Sequence, residues 1–164
     1  MAVNPANRPR QATVSAGGQH SCAVIGANRT VWCWGDNSFG QVGDGSFDAR
    51  PAPVKVERPA GAAFVDVGAG AAHSCALTAA GDAWCWGDNS SGQLGNGDAS
   101  GAPSAVPVRV EAPAGTVFRE LSVGGLHACA RTEAGAAWCW GANDGGQVGD
   151  GTFANALAPV EVPG

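Results

Sequence analysis

The sequence has no tyrosine, few charged residues and no long apolar run. Charged side chains make up 14% of the 164 residues, and the net charge of −5 is scattered along the chain. No stretch approaches the roughly 20 apolar residues of a transmembrane helix, so we expect no membrane insertion. No cluster of Lys or Arg is present to follow a phosphate backbone, so we expect no nucleic-acid binding. Residues 1–11 lack an apolar core and do not resemble a secretory signal.

The chain instead contains one unit repeated three times. A His-x-Cys-Ala segment, a Trp-Cys-Trp-Gly segment and a Gly-Gln-x-Gly segment recur in the same order, and His20, His73 and His127 are 53 and 54 residues apart. Internal repeats of this length are typical of solenoids, propellers and stacked arrays. We place the repeats at about residues 11–57, 63–111 and 117–162, in a single array.

Each repeat contains four short extended segments and no helical periodicity. In the second repeat these are residues 64–67, 73–78, 83–87 and 107–110. Apolar residues alternate within them and Gly interrupts every stretch, a pattern that predicts strands. The last segments of the other two repeats are residues 53–56 and 159–162. Because four antiparallel strands make one β-propeller blade, the sequence predicts an all-β fold of three such blades. A parallel β-helix is less favoured, since its repeats are much shorter.

The six cysteines occur as one pair in each repeat. If Cys75 faces Cys85 across a hairpin, Leu77 faces Ala83 and residues 79–81 form a three-residue loop that ends on Gly, where positive φ is required. Cysteines directly opposed on neighbouring strands lie near the distance that a disulfide needs. The register therefore predicts the disulfides Cys22–Cys33, Cys75–Cys85 and Cys129–Cys139.

Two alternatives for these residues remain open. Zinc could use the His and two Cys of each repeat, although structural zinc takes four ligands and the usual Cys-x-x-Cys spacing is missing. His20, His73 and His127 could act as bases, but a residue repeated at the same place three times is typical of a structural role. Paired thiols indicate an oxidising compartment, so we expect an extracytoplasmic protein, secreted or on the cell surface.

The predicted register also gives each blade two different faces. In the second repeat, His73 and Cys75 point to one side, whereas Trp84 and Trp86 point to the other. We expect the stacking of one blade on the next to bury both faces.

Three segments of the second repeat resemble the regulator of chromosome condensation repeat family. They are His-Ser-Cys-Ala-Leu at 73–77, Trp-Gly-Asp-Asn at 86–89 and Gly-Gln-Leu-Gly-Asn-Gly at 92–97. The resemblance extends over residues 12–162, and the paired cysteines look like those of bacterial, exported members. It implies one propeller blade per repeat, usually seven in a ring, and a function mainly through protein–protein contacts. We find no positions that match the surface features of the founding member's nucleotide-exchange activity, so that activity is not expected.

Three blades are too few for a closed ring, since propellers have about 4–8. The chain is therefore expected to form a partial propeller, or half of an oligomeric ring that a homodimer of six blades would complete. Open sheet edges also favour self-association.

The connections before the fourth strands vary, while the strands repeat. They are residues 46–52, 98–106 and 152–158. Because variable loops on a rigid scaffold commonly carry recognition, we predict that they contact a partner. The candidate residues are Phe47, Asp48, Asp98, Ser100, Phe153 and Asn155. The alternative is that each Phe packs over its own blade.

These observations predict a non-enzymatic scaffold that binds a protein partner, with no catalytic residues, no metal and no cofactor. Two alternatives are an inhibitor or accessory module of a secreted enzyme, and a fragment of a larger propeller enzyme. The sequence does not identify the partner.

Overall fold

The computed structural model describes residues 13–164. Residues 1–12 lie outside this part, and they include the start of the first predicted repeat and the segment considered as a secretory signal. The described residues form twelve strands in three four-stranded antiparallel sheets and contain no helix. The predicted all-β fold of three four-stranded repeats is therefore confirmed.

Each sheet, here called a blade, takes its four strands in chain order. Blade 1 contains β1 (Val14–Ala16), β2 (His20–Ile25), β3 (Thr30–Gly35) and β4 (Arg50–Lys55). Blade 2 contains β5 (Phe64–Ala69), β6 (His73–Thr78), β7 (Ala83–Gly87) and β8 (Ser104–Arg109). Blade 3 contains β9 (Phe118–Val123), β10 (His127–Thr132), β11 (Ala137–Gly141) and β12 (Ala156–Glu161). Neighbouring blades meet through their inner strands, since β5 contacts both β1 and β9.

The central hairpins have the register that the cysteine spacing predicts. Cys75 pairs with Cys85 and Leu77 with Ala83, and the loop ends on Gly81 at φ +95°. The fourth strands differ from the prediction, because each begins three residues earlier than expected. In blade 1, β4 starts at Arg50 opposite Gly35, after an irregularity in the register. Residues 50–52 were predicted to lie in the variable connection. The prolines of β4 are compatible with a strand because proline is tolerated on an edge strand.

All three predicted cysteine pairs are disulfides. They join Cys22 to Cys33, Cys75 to Cys85 and Cys129 to Cys139, each linking the second and third strands of one blade. No free cysteine occurs in the described chain, so these thiols cannot serve as zinc ligands.

Two apolar joints hold the blades together. The side of a blade that carries the disulfide, its Cys face, packs against the side of the next blade that carries the tryptophans, its Trp face. In the first joint, Val24 and the Cys22–Cys33 disulfide of blade 1 cluster with Phe64 and Trp86 of blade 2. The second joint repeats this packing. Trp86 is fully buried, whereas Trp34, on the uncovered Trp face of blade 1, is only half-buried.

Candidate functional site

Two of the three recurring histidines lie inside the joints, whereas His127 is half-buried on the Cys face of blade 3. His20 is 3% exposed and His73 is fully buried. Burial lowers the pKa of both side chains to about 4, so both are neutral at neutral pH. The Nε2 atom of His20 lies 2.8 Å from Ser74 Oγ, and that hydroxyl donates to the backbone oxygen of Gln41 at 2.9 Å. His20 therefore links blade 1 to blade 2 through a hydroxyl group.

The second joint lacks this hydroxyl. Ala128 occupies the repeat position of Ser74, and neither ring nitrogen of His73 has a partner among the described residues. A neutral imidazole carries one N–H donor and one bare acceptor nitrogen. Leaving a buried donor unpaired costs about 1–3 kcal/mol, so the second joint contains a correctable defect.

We therefore predict that Ala128→Ser stabilises the protein. The new hydroxyl would lie between His73 and the backbone oxygen of Gln93, the repeat equivalent of Gln41. The expected gain is about 1–2 kcal/mol in the free energy of unfolding, measured by urea titration. The reverse change, Ser74→Ala, is the matched control and should lower the free energy of unfolding by about 1–3 kcal/mol. A loss from both substitutions would show that the hydroxyl position is not equivalent in the two joints.

The long variable connections share one edge of the molecule, which we call the loop face. It consists of the connections from third to fourth strands and the shorter ones from first to second strands. The long connections are residues 36–49, 88–103 and 142–155, and the short ones are 17–19, 70–72 and 124–126. They share an edge because the first and third strands of an antiparallel sheet run in the same direction.

Buried asparagines hold two of the long loops in place. Asn37 Oδ1 accepts the backbone N–H of Val42 at 2.9 Å, and its Nδ2 donates to the backbone oxygens of Ser46 and Asp48 at 2.9 and 3.0 Å. Asn143 makes the same set of bonds in blade 3. Phe47 and Phe153 are therefore presented on loops with defined backbone positions.

The loop of blade 2 is organised differently, because it is two residues longer. Asn89 accepts from Leu94 N at 3.1 Å, but its Nδ2 has no partner among the described residues. Asp98 instead accepts both the backbone N–H and the hydroxyl of Ser100, at 2.8 and 2.7 Å. These hydrogen bonds lower the pKa of Asp98 and keep its carboxylate charged.

The structure places all six predicted partner-contacting residues on the loop face, but they differ in exposure and in the hydrogen bonds that their side chains already make. Phe47 is 53% exposed and Phe153 is 74% exposed. Asp48 and Ser100 are also exposed, whereas Asp98 is half-buried in its turn. The side chain of Asn155 is exposed, but its Oδ1 accepts the backbone N–H of Asn143. The two phenylalanines have no such structural bond, and partner contact at these positions stays a prediction.

Two further apolar residues on this face were missed in the sequence. Phe39 is 44% exposed and Leu126 is 42% exposed. Phe39 occupies the repeat position of Ser91 and Gly145, so a comparison of equivalent positions would have found it. Of the eight large apolar residues that are exposed in the described chain, four lie in these loops.

The loop face is also acidic. Six of its aspartates are exposed or half-buried: Asp36, Asp44, Asp48, Asp98, Asp144 and Asp150. The loops contain no Lys or Arg, and Arg50, the first residue of β4, is paired with Asp44. The face therefore combines exposed aromatic rings with negative charge.

A membrane-spanning helix and a metal site find no support in residues 13–164. None of these residues belongs to a helix that could cross a membrane. Within the same range, no three His, Cys, Asp or Glu side chains are grouped to hold a metal ion.

Four-stranded antiparallel units that stack through their faces around converging inner strands define an array of β-propeller blades. The sequence profile described as "Regulator of chromosome condensation (RCC1) repeat" matches residues 30–77, 80–131 and 134–164. A second profile with the same description matches residues 12–41, 64–93 and 118–147. The chain belongs to the regulator of chromosome condensation repeat family.

Relatives of known identity are much longer than this chain. It is 37% identical over 123 residues to human E3 ubiquitin-protein ligase HERC2, covering 75% of this chain and 2% of that protein. It is 32% identical over 150 residues to the ultraviolet-B receptor UVR8 of Arabidopsis thaliana, covering 91% of this chain and 33% of that protein. The crystal structure of yeast RCC1 (Prp20) bound to Kap60 superposes with a TM-score of 0.78 at 20% identity, and the match covers 93% of this chain and 37% of that one. The chain thus spans 2%, 33% and 37% of the length of these three proteins. At 20% identity, the likeness to yeast RCC1 (Prp20) shows a shared fold.

Proposed function

We propose that this chain is a non-enzymatic protein-interaction module whose loop face binds a partner with basic and apolar groups. The observation that carries the proposal is the presentation of Phe47 and Phe153 on two asparagine-held loops among six aspartates. Aromatic side chains are frequent hot spots of protein interfaces, and complementary charge directs the encounter.

The histidines and cysteines, the residue types that could act in catalysis, have structural positions that support a non-enzymatic function. His20 and His73 are closed inside the joints, neutral, and repeated at equivalent positions. The six cysteines are joined in disulfides and offer no nucleophile. The ligase activity of HERC2 is not proposed, because this chain corresponds to 2% of that protein.

Solved relatives give a precedent for protein binding by this fold. Yeast RCC1 (Prp20) is seen bound to Kap60, and its other structure is described together with binding to Gsp1p and histones. These proteins support the use of the fold as a binding scaffold. The loop face is proposed as the binding surface from the residues of this chain alone.

The test is a double substitution, Phe47→Ala with Phe153→Ala. Wild-type protein would first be used to select binders from a displayed random-peptide library, with enrichment of Lys- and Arg-containing peptides as the expected result. Against the selected peptides, the double variant should bind at least about tenfold more weakly, because each hot-spot aromatic contributes about 1–2 kcal/mol. Its melting temperature should not change, since both rings are exposed.

The matched control is Ile25→Ala with Val117→Ala, which removes two exposed apolar side chains outside the loop face. This control should leave peptide binding unchanged. Equal loss in both double variants, or selection of peptides without basic residues, would contradict the proposed surface.

We also propose that the protein works outside the cytoplasm. Three disulfides in one small chain support this, because reducing compartments do not maintain them. If the reduced protein kept its full stability, this support would be lost.

A further inference from the structure

We propose that blade 1 binds a phosphate or sulfate ester in a basic depression at the edge opposite the loop face. This edge holds the hairpins between second and third strands and the ends of the fourth strands. The depression has a volume of about 470 Å³ and is lined by Asn28, Thr30, Lys55, Val56 and Arg58. Small-molecule sites measure roughly 300–1,000 Å³, so the depression has room for a sugar that carries the anion.

The depression collects positive charge that has no internal partner. Most Lys and Arg residues of the described chain form ion pairs with carboxylates, and these are Arg50, Arg109, Arg119 and Arg131. The others within residues 13–164 are Arg29, Lys55 and Arg58. Residues 1–12 contain no Asp or Glu that could pair with them. The unpaired cations, spread along the sequence, are therefore brought together at one edge of blade 1.

Comparison of the repeats shows why Lys55 lacks a carboxylate. Lys55 and Arg109 occupy the same position of β4 and β8, since each faces the first tryptophan of its Trp-Cys-Trp-Gly segment. Arg109 forms an ion pair with Asp82, and the repeat position of Asp82 in blade 1 is Thr30. Because a hydroxyl replaces the carboxylate, the charge of Lys55 is left for an external anion.

The equivalent depression of blade 2 is not basic. Its charged lining residues are Asp82, Arg109 and Glu111, so two carboxylates face one cation. In blade 1 the repeat equivalent of Glu111 is Glu57, which does not line the basic depression and whose carboxylate lies beside Gly45. An anion is therefore attracted to the depression of blade 1 and not to that of blade 2.

The other side chains of the basic depression suit an oxyanion as well. The hydroxyl of Thr30 and the amide of Asn28 are hydrogen-bond donors that line it beside the two cations. The Nζ atom of Lys55 lies 5.4 Å from the centroid of the Trp32 ring, a cation–π contact that limits the positions of the ammonium group. A phosphate ester has three acceptor oxygens and a charge of about −1.5 to −2 at neutral pH, which matches two cations and two neutral donors.

Arg29 adds a third cation in a backbone conformation that normally requires glycine. Its φ is +49°, whereas Gly81 and Gly135 occupy the equivalent position of the other repeats, at φ +95° and +93°. A residue with a side chain adopts this conformation at a cost, and such strain is common at ligand sites. Because Arg29 lies between Asn28 and Thr30 in the chain, its charge stands next to the basic depression.

The test is a titration of the ¹⁵N-labelled, non-reduced chain at low ionic strength, followed by the NMR shifts of its backbone amides. The probes are glucose 6-phosphate, glucose 6-sulfate, inorganic phosphate and unmodified glucose. We expect saturable shifts at residues 28–30 and 55–58 with the two charged sugars and none with glucose. Added salt should weaken binding, because it screens exposed charges. Tighter binding of one charged sugar would identify the ester, and equally tight binding of inorganic phosphate would contradict an ester ligand.

Thr30→Asp gives blade 1 the carboxylate that blade 2 has. The new carboxylate should pair with Lys55 and weaken glucose 6-phosphate binding at least about tenfold, and Lys55→Ala should have an effect of the same size. The matched control is Arg109→Ala, which removes a paired cation at the same position of blade 2 and should leave binding unchanged. Melting temperatures would verify that each variant folds.

Three results would overturn the proposal. They are the absence of shifts at residues 28–30 and 55–58 with every charged probe, equal shifts with glucose, and undiminished binding by Thr30→Asp. The double variant Phe47→Ala with Phe153→Ala should bind glucose 6-phosphate like the wild type, because its substitutions lie on the loop face. The basic depression and the loop face can therefore fail independently of each other.

Discussion

Reduction of the three disulfides is expected to lower the free energy of unfolding by about 8 kcal/mol in total. The paired cysteines are 11, 10 and 10 residues apart, and closing loops of this length restricts the unfolded chain by about 2.7 kcal/mol each in the chain-entropy model. Single domains are stable by only about 5–15 kcal/mol, so the reduced chain should be largely or wholly unfolded.

Urea titration followed by tryptophan fluorescence, with and without a phosphine reductant, measures this loss. The control is Cys129→Ala with Cys139→Ala, which removes one disulfide and should lose about 2.7 kcal/mol, a third of the total. Alkylation and mass spectrometry should find Cys129–Cys139 reduced first, because Cys129 is half-buried while the cysteines of the other two pairs are fully buried. Reduction with no change in the urea midpoint would contradict a stabilising role for the disulfides.

Trp86→Ala is expected to have the largest effect of any single substitution proposed for this chain. The side chain is fully buried in the first joint, its ring centroid is 6.4 Å from that of Phe64, and its indole donates to Gln41. Removing a buried tryptophan costs about 3–5 kcal/mol, and the unpaired carbonyl adds about 1 kcal/mol. We therefore expect a loss near 5 kcal/mol.

The matched control is Trp34→Ala, at the same position of the first repeat. Trp34 is half-buried and has no covering blade among the described residues. Its replacement by Ala should therefore lower the free energy of unfolding by less than about 2 kcal/mol when the chain is dilute. Both values come from urea titration at a concentration where the chain is monomeric. Equal losses at the two positions would mean that the joint contributes nothing beyond packing within each blade.

Much of the fold was predictable because two local signals agree. The alternation of apolar residues and the opposed cysteines both fix the register of Cys75 against Cys85, and a shift by one residue would separate them. The start of β4 at Arg50 was not predictable in this way, because its first residues lie in a connection that varies between repeats and its pairing with Gly35 follows an irregular register.

The candidate site was predictable only in outline. Variation between repeats identified the loops of Phe47 and Phe153, but loop lengths alone did not single out Phe39. The partners of buried polar groups could not be predicted, because the acceptor for Trp86 is a backbone oxygen 45 residues away in another blade. Such contacts depend on how the blades stack, which the pattern within one repeat does not contain.

The backbone bond from Gly45 to Ala105 has a consequence for regulation. It ties the loop of one blade to the outer strand of the next, and so adds a constraint to those that Asn37 already supplies within the blade. The loop around Phe153 has no such bond to another blade within residues 13–164, and the N–H group of Gly151 is the donor that corresponds to that of Gly45. Ligand capture at this loop and docking of a further blade would then be thermodynamically coupled, each raising the affinity of the other by the same factor.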